Sequence, residues 1–185
     1  FVAEVASTCN EALLMRRLLE KTEDRQQRAV LINYFLEQFR TTLYRQTMFA
    51  EFELDIHRMV QAGEILTAQR LCETYYRLNR LYYGERVEVD RDIAMEWARI
   101  PHFYRRFYVY QYATGFSAAM ALSERILTGG PEAAADYLRF LSGGCSTDPV
   151  SLLKLAGVDM STSQPVQDAL DLFGRLTEEL EDLLA

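Results

Sequence analysis

Several features that would mark a specialised protein are scarce or missing in this 185-residue chain. Basic clusters are few: the net charge is −7 and the richest basic spots are short groups such as Arg105-Arg106. Nucleic acid is disfavoured, because a phosphate backbone needs clustered Lys and Arg, and an acidic membrane surface is disfavoured for the same reason. No apolar run reaches the roughly 20 residues that span a bilayer, and no basic stretch leads into an apolar one at the amino terminus. Membrane insertion and export are therefore not expected. The three cysteines, Cys9, Cys72 and Cys145, lie far apart, form no CxxC pair and are odd in number, so they cannot all close into disulfides within one chain. Free thiols point to a reducing, cytoplasmic setting. Four prolines and nine glycines, beside 49% hydrophobic and 25% charged residues, exclude disorder and low complexity. Only two histidines occur, His57 and His102, in no HxxxH or HxxEH spacing, so they make no recognisable zinc site between them. The GxSxG, P-loop and dinucleotide fingerprints are absent, which removes support for acyl-enzyme and phosphoryl chemistry.

The residues that are present predict an all-α protein of one domain. Apolar residues recur at three and four, as in Leu14, Met15, Leu18, Leu19 and then Val30, Leu31, Tyr34, Phe35, Phe39. That spacing predicts two long helices up to about residue 61, separated near Lys21-Thr22-Glu23-Asp24. Gly63 stops the second, and Thr67 caps a third that ends at Gly84. Val87-Glu88-Val89 alternates like a strand but is too brief to build a sheet. Asp90 caps a helix through Trp97, broken by Pro101. Residues 102–112, HFYRRFYVYQY, can be read as strand or helix. Pro131, Asp148-Pro149 and Pro165 open the remaining helices.

Two places could carry chemistry. Glu4 and Glu11 are seven residues apart, close to two helical turns, which sets both carboxylates on one face beside Phe1, Ala3, Val5 and Ala6. They could bind a divalent metal or orient a ligand, or they could be a solvated acidic face. His102 follows Pro101 at a helix break and precedes Tyr104, Tyr108, Tyr110 and Tyr112. An imidazole and several phenols could converge there as hydrogen-bond donors to an oxyanion, or pack as core.

Three stretches then stand out together: FVAEVASTCNEALL at the start, WARIPHFYRRFYVYQYATGFSAA in the centre and LLKLAGVDM later, with EFE at 51–53 and YYG at 82–84 between them. Together they closely resemble the C-terminal half of the oligoendopeptidase F family, zinc metallopeptidases related to thimet oligopeptidase. The resemblance covers essentially the whole chain and implies a multi-helix C-terminal part of a zincin-type catalytic domain over residues 1–185. In that family an HExxH helix supplies two histidines and a catalytic glutamate, and a further glutamate completes the zinc site. The resemblance assigns that further glutamate to Glu4, and assigns to Glu11 a supporting role behind a histidine ligand. It also assigns His102, Tyr108, Tyr110 and Tyr112 to a segment facing the metal, which binds substrate and stabilises the tetrahedral intermediate.

One element of the family is missing, since no HExxH occurs in the 185 residues. A single carboxylate is a poor zinc ligand set, and no general base is present to activate water. The chain also opens at Phe1 without Met, directly into a helical pattern. These features lead to the expectation of a piece of a longer enzyme, inactive alone, whose partners are short peptides and the missing N-terminal part of its own chain. Apolar faces that would normally meet that part lead to an expectation of self-association. The competing expectation is a non-catalytic helical module that binds peptides or acts as a scaffold.

Overall fold

The computed structural model describes residues 2–185. Helix accounts for 78% of the described residues and no strand occurs among them, so the all-α class read from the periodicity holds. The α-helices are α1 (Val5–Lys21), α2 (Arg25–Gln38), α3 (Arg45–Gln61), α4 (Ala68–Tyr83), α5 (Tyr110–Thr128), α6 (Gly130–Ser142), α7 (Pro149–Leu155) and α8 (Gln164–Leu184). The chain folds as two compact units: Phe1–Leu43 with Thr114–Ala185, and Tyr44–Ala113. Their boundaries fall inside a π-helical stretch, Phe39–Tyr44, and inside α5. Among the described residues no helix is long and apolar enough to cross a membrane.

In the first unit, α1 buries Val5, Cys9, Ala12, Met15 and Leu19, a stripe spaced by three and four. Leu14 and Leu18, apolar members of the same pattern, stay exposed. Asp24 caps α2 by accepting from the Gln27 N–H at 2.7 Å, in the predicted break. Phe35 and Phe39 continue inward, and the Phe39 ring meets Phe35, Phe116 and Phe173 at centroid distances of 5.3, 4.9 and 5.6 Å. Each of the buried rings, Phe35, Phe39 and Phe116, stabilises the fold by roughly 1.5–3 kcal/mol, before any gain from edge-to-face geometry. Every residue from Phe116 to Ser123 in α5 is buried. Its alanines explain this, since small side chains let neighbouring helices close in on all sides of one helix. Arg25 donates to the last carbonyls of α8, those of Asp182 and Leu183, placing a cation at a helix C-terminus. The Tyr137 hydroxyl on α6 is shared between the Ala6 carbonyl and Asn10 Oδ1 on α1. Beneath it, burial pushes the Cys9 thiol up to about 11.

In the second unit, Met48, Phe49 and Phe52 of α3 pack with Tyr75 and Leu78 of α4, and with Ile100 and Val109. Thr67 caps α4, accepting from the Arg70 N–H at 3.2 Å, and Gly84, at φ 73°, ends it. The expected helix after Asp90 is a nine-residue 3₁₀ run, Arg91–Arg99. Runs of that length are uncommon because 3₁₀ hydrogen bonds are poorly aligned. This one is held by Glu96, buried at its centre. The carboxylate accepts from Arg45 Nη2 at 2.5 Å and Arg99 Nη2 at 2.5 Å on one oxygen, and from the Tyr75 hydroxyl at 2.7 Å on the other. Burial pushes the Glu96 carboxyl up, but the Tyr75 and Arg45 hydrogen bonds and the arginine charges outweigh it and hold the group below its ordinary range. Ile100 is extended because Pro101 follows it.

Candidate active site

Glu4 and Glu11 lie in the first unit. Glu4 occupies the position before α1 and makes no side-chain cap; it is exposed, and the Ser7 hydroxyl donates to its carbonyl at 3.0 Å and to its Oε2 at 3.3 Å. Glu11 is exposed two turns further along. At 1.5 Å rise per residue, seven residues separate the two by about 10 Å along the helix. Among the described residues no three His, Cys, Asp or Glu side chains gather into a metal-binding group. Catalytic zinc takes three protein ligands, so Glu4 fits such a site as one donor among several.

The other candidates lie in the second unit, and here the ambiguous segment resolves. Pro101–Tyr104 is a single 3₁₀ turn, residues 105–109 are irregular, and α5 begins at Tyr110. Val109, fully buried, pins the irregular stretch to the core. The turn folds the chain back so that His102 meets residues six and ten positions later. The imidazole stacks on Tyr108 at 5.8 Å and 17°, and meets Tyr112 edge-on at 5.6 Å. The two phenol rings lie 5.7 Å apart at 74°. The Tyr112 hydroxyl and His102 Nε2 are 3.1 Å apart, within hydrogen-bond distance. Tyr108 is 36% exposed and Tyr110 48%, so the cluster opens to solvent on one side. Tyr104 does not converge with the others; it is 84% exposed.

One residue beside this cluster was not singled out from the sequence. Glu53, on α3, is buried to 1% exposure, and its Oε1 accepts the Phe107 N–H at 2.6 Å, while its Oε2 has no hydrogen-bond partner among the described residues. Phe107 has φ 54°, the only positive value among the described non-glycine residues. A side chain in the left-handed region clashes with its own backbone, so such a residue persists only where its surroundings impose it. His57, one turn along α3, places its ring 4.8 Å from Phe107. Its Nδ1 lies 2.7 Å from the Glu53 carbonyl, and because a carbonyl only accepts, that nitrogen carries the proton. The sequence did contain a signal for Glu53: it sits in the apolar stripe of Phe49, Phe52 and Ile56, where a charged residue is out of place.

The family model "Peptidase family M3" matches residues 1–172. Among curated relatives, Oligopeptidase PepF of Bacillus subtilis (strain 168) is 52% identical over 184 residues, covering 100% of this chain and 28% of its own length. The plasmid Oligoendopeptidase F of Lactococcus lactis subsp. cremoris is 45% identical over 184 residues, covering 100% of this chain and 31% of its own. A crystal structure of oligoendopeptidase-F from Enterococcus faecium matches with a TM-score of 0.95 at 47% identity, over 100% of this chain and 35% of that one. The matched region is the C-terminal part of that structure. The chain thus spans under a third of the length of these curated relatives.

Proposed function

The chain belongs to peptidase family M3, and from that premise we propose that it forms the C-terminal part of the catalytic domain of a zinc-dependent endopeptidase that hydrolyses short peptides. The HExxH helix and its general base come, in this reading, from the remainder of a longer protein, and the chain alone is inactive. The names of its relatives, oligopeptidase and oligoendopeptidase, support the substrate class. The cytoplasm is the proposed compartment, in keeping with three cysteines that remain thiols.

The observation that carries the reading is the partly exposed cluster of one imidazole and two phenols. Glu4 offers a carboxylate to zinc, and Glu11 supports a histidine ligand from behind. The chemistry zinc supplies when bound is polarisation of the scissile carbonyl and of a water. This chain's part at the transition state falls to His102, Tyr108, Tyr110 and Tyr112. With a proton on Nε2, His102 donates to the Tyr112 oxygen across the 3.1 Å separation. The phenol proton is then directed away from the ring, and the phenol becomes a stronger donor through the bond it accepts. A donor so placed stabilises the negative charge that develops on the carbonyl oxygen. Tyr108, stacked on the imidazole and open to solvent, is placed to meet the peptide.

The test is hydrolysis of short peptides by the full-length peptidase, with and without a chelator. Activity that disappears on chelation and returns with zinc is expected. Cleavage unaffected by chelation, or no cleavage of any short peptide, would refute the reading.

A further inference from the structure

We infer that Glu53 is a positioning residue for the aromatic cluster, acting through the backbone of Phe107. This rests on the proposed role of His102 and the tyrosines, and goes beyond it by naming what holds Tyr108 against the imidazole.

The segment between the 3₁₀ turn and α5 is held by single-turn hydrogen bonds, Arg105 N–H to the His102 carbonyl at 2.9 Å and Tyr108 N–H to the Arg105 carbonyl at 3.1 Å, and its geometry decides where Tyr108 sits. Its sharpest feature is the left-handed Phe107, directly before Tyr108. No glycine is present to accept that conformation without strain, so something must impose it. Two groups hold it: the Arg105 carbonyl, which accepts the Tyr108 N–H at 3.1 Å across Phe107, and the Glu53 carboxylate. The Phe107 N–H donates to a carboxylate oxygen at 2.6 Å, and the acceptor is held rigidly, 1% exposed, on the inner face of α3. A hydrogen bond to a charged acceptor is roughly twice as strong as a neutral one. The Phe107 ring meets His57, whose own Nδ1 is tied to the Glu53 carbonyl, so side chain and backbone of Phe107 are both referred to one helical turn. Downstream, Val109 enters the core and Tyr108 lies between these two fixed points, stacked on His102.

A carboxylate kept in the core with one oxygen bound and the other unpartnered is a costly choice if stability is its purpose. A Leu or Met would pack there without that penalty. The charge is accounted for by what Oε1 does, namely fixing a strained backbone one residue from a phenol that must meet the transition state. Preorganisation of this kind is where small displacements matter: a shift of about 1 Å can cost on the order of 100-fold in rate.

The experiment uses the full-length peptidase. Four variants are compared with the parent: Glu53→Met, Glu53→Gln, Tyr108→Phe and the Glu53→Met/Tyr108→Phe pair. Amide exchange at Phe107 reads the anchor directly. Protection is expected in the parent and in Glu53→Gln, which keeps a carbonyl acceptor, and is expected to be lost in Glu53→Met. Turnover of Glu53→Met should fall by about 10- to 100-fold with KM and zinc content little changed, Glu53→Gln should restore most of it, and the loss should largely vanish when Tyr108 is already Phe. A purely structural role would lower the melting temperature and add in full to the Tyr108→Phe loss, which overturns the inference. Unchanged Phe107 exchange in Glu53→Met also overturns it. If Glu53→Met does not fold, Glu53→Asp takes its place, because it keeps the charge but withdraws the carboxylate by one methylene from the Phe107 N–H. Full activity in Tyr108→Phe alone overturns the inference that Glu53 acts through that phenol, while the proposed function of the cluster is decided separately by the His102, Tyr110 and Tyr112 variants.

Discussion

Tyr112 presents its hydroxyl to His102 Nε2 at 3.1 Å although ten residues of chain separate them, and the two rings stand at 89° to each other. That arrangement needs the proline-initiated turn at Pro101–Tyr104 and the helical start at Tyr110, so it is a product of local backbone geometry rather than of general apolar packing. It also makes the cluster's role measurable. In the full-length peptidase, His102→Ala and the single changes Tyr108→Phe, Tyr110→Phe and Tyr112→Phe should lower turnover by about 10²- to 10³-fold in at least one case, as loss of one oxyanion donor does. KM should move little, the signature of an interaction made only in the transition state. Steady-state kinetics with parallel zinc analysis checks this. If all four variants turn over normally with normal zinc, the segment is core packing.

Glu4→Gln and Glu11→Gln should separate two roles on one helix. A Gln at position 4 keeps the shape but loses the charge a zinc ligand needs, so zinc and activity should vanish together. At position 11 the metal affinity should weaken by about 10- to 100-fold, as for residues that orient a ligand. Zinc titration of both variants decides the matter. Full zinc occupancy and full rate in Glu4→Gln would show that the ligand lies elsewhere.

The 185-residue chain by itself should hold zinc weakly and cleave no peptide, because it offers one proposed ligand and no HExxH. Metal analysis after dialysis, beside a peptide-cleavage assay, is sufficient. Stoichiometric zinc that survives dialysis would contradict the ligand count.

Glu96 makes stability depend on acid in a defined direction. Its carboxyl titrates below the ordinary 4.5 in the folded chain, so its contribution is fully present above about 4.5 and is lost as the pH falls through the lower folded value. Thermal melts from pH 7 downward should show this loss in the parent and less of it in Glu96→Gln. At neutral pH that variant should also be less stable by about 3 kcal/mol, because the partly buried Arg45 keeps its charge without its carboxylate. Identical acid profiles for the two proteins would mean that the network at the centre of the 3₁₀ run does not contribute.

The helices and their starts were legible because they depend on local chemistry: Asp24, Thr67, Asp90 and Asp148 all accept the N–H groups expected of capping residues. Which apolar residues turn inward was less legible. Leu14, Leu18, Val30 and Tyr34 fit the helical pattern yet remain exposed, since spacing defines a face without saying what covers it. The 3₁₀ character of Arg91–Arg99 was hidden for a similar reason: it depends on Arg45 and Tyr75, distant in sequence, gathering around Glu96. At the candidate site the sequence marked His102 and its tyrosines as a group and left strand or helix undecided. Only the fold shows that Tyr104 departs, and that a buried glutamate from α3 reaches the segment.

The π-helical stretch Phe39–Tyr44 carries one residue more than a regular α-helix would place between the same buried positions. Buried positions advance by four from Phe35 to Phe39 to Leu43, then by five to Met48. Deleting one residue there would turn the step of five into a step of four, which a regular α-helix accommodates with its buried residues still on one face. At this stretch the chain length can change by a residue while the buried positions on either side keep their helical face, which an ordinary helix does not allow.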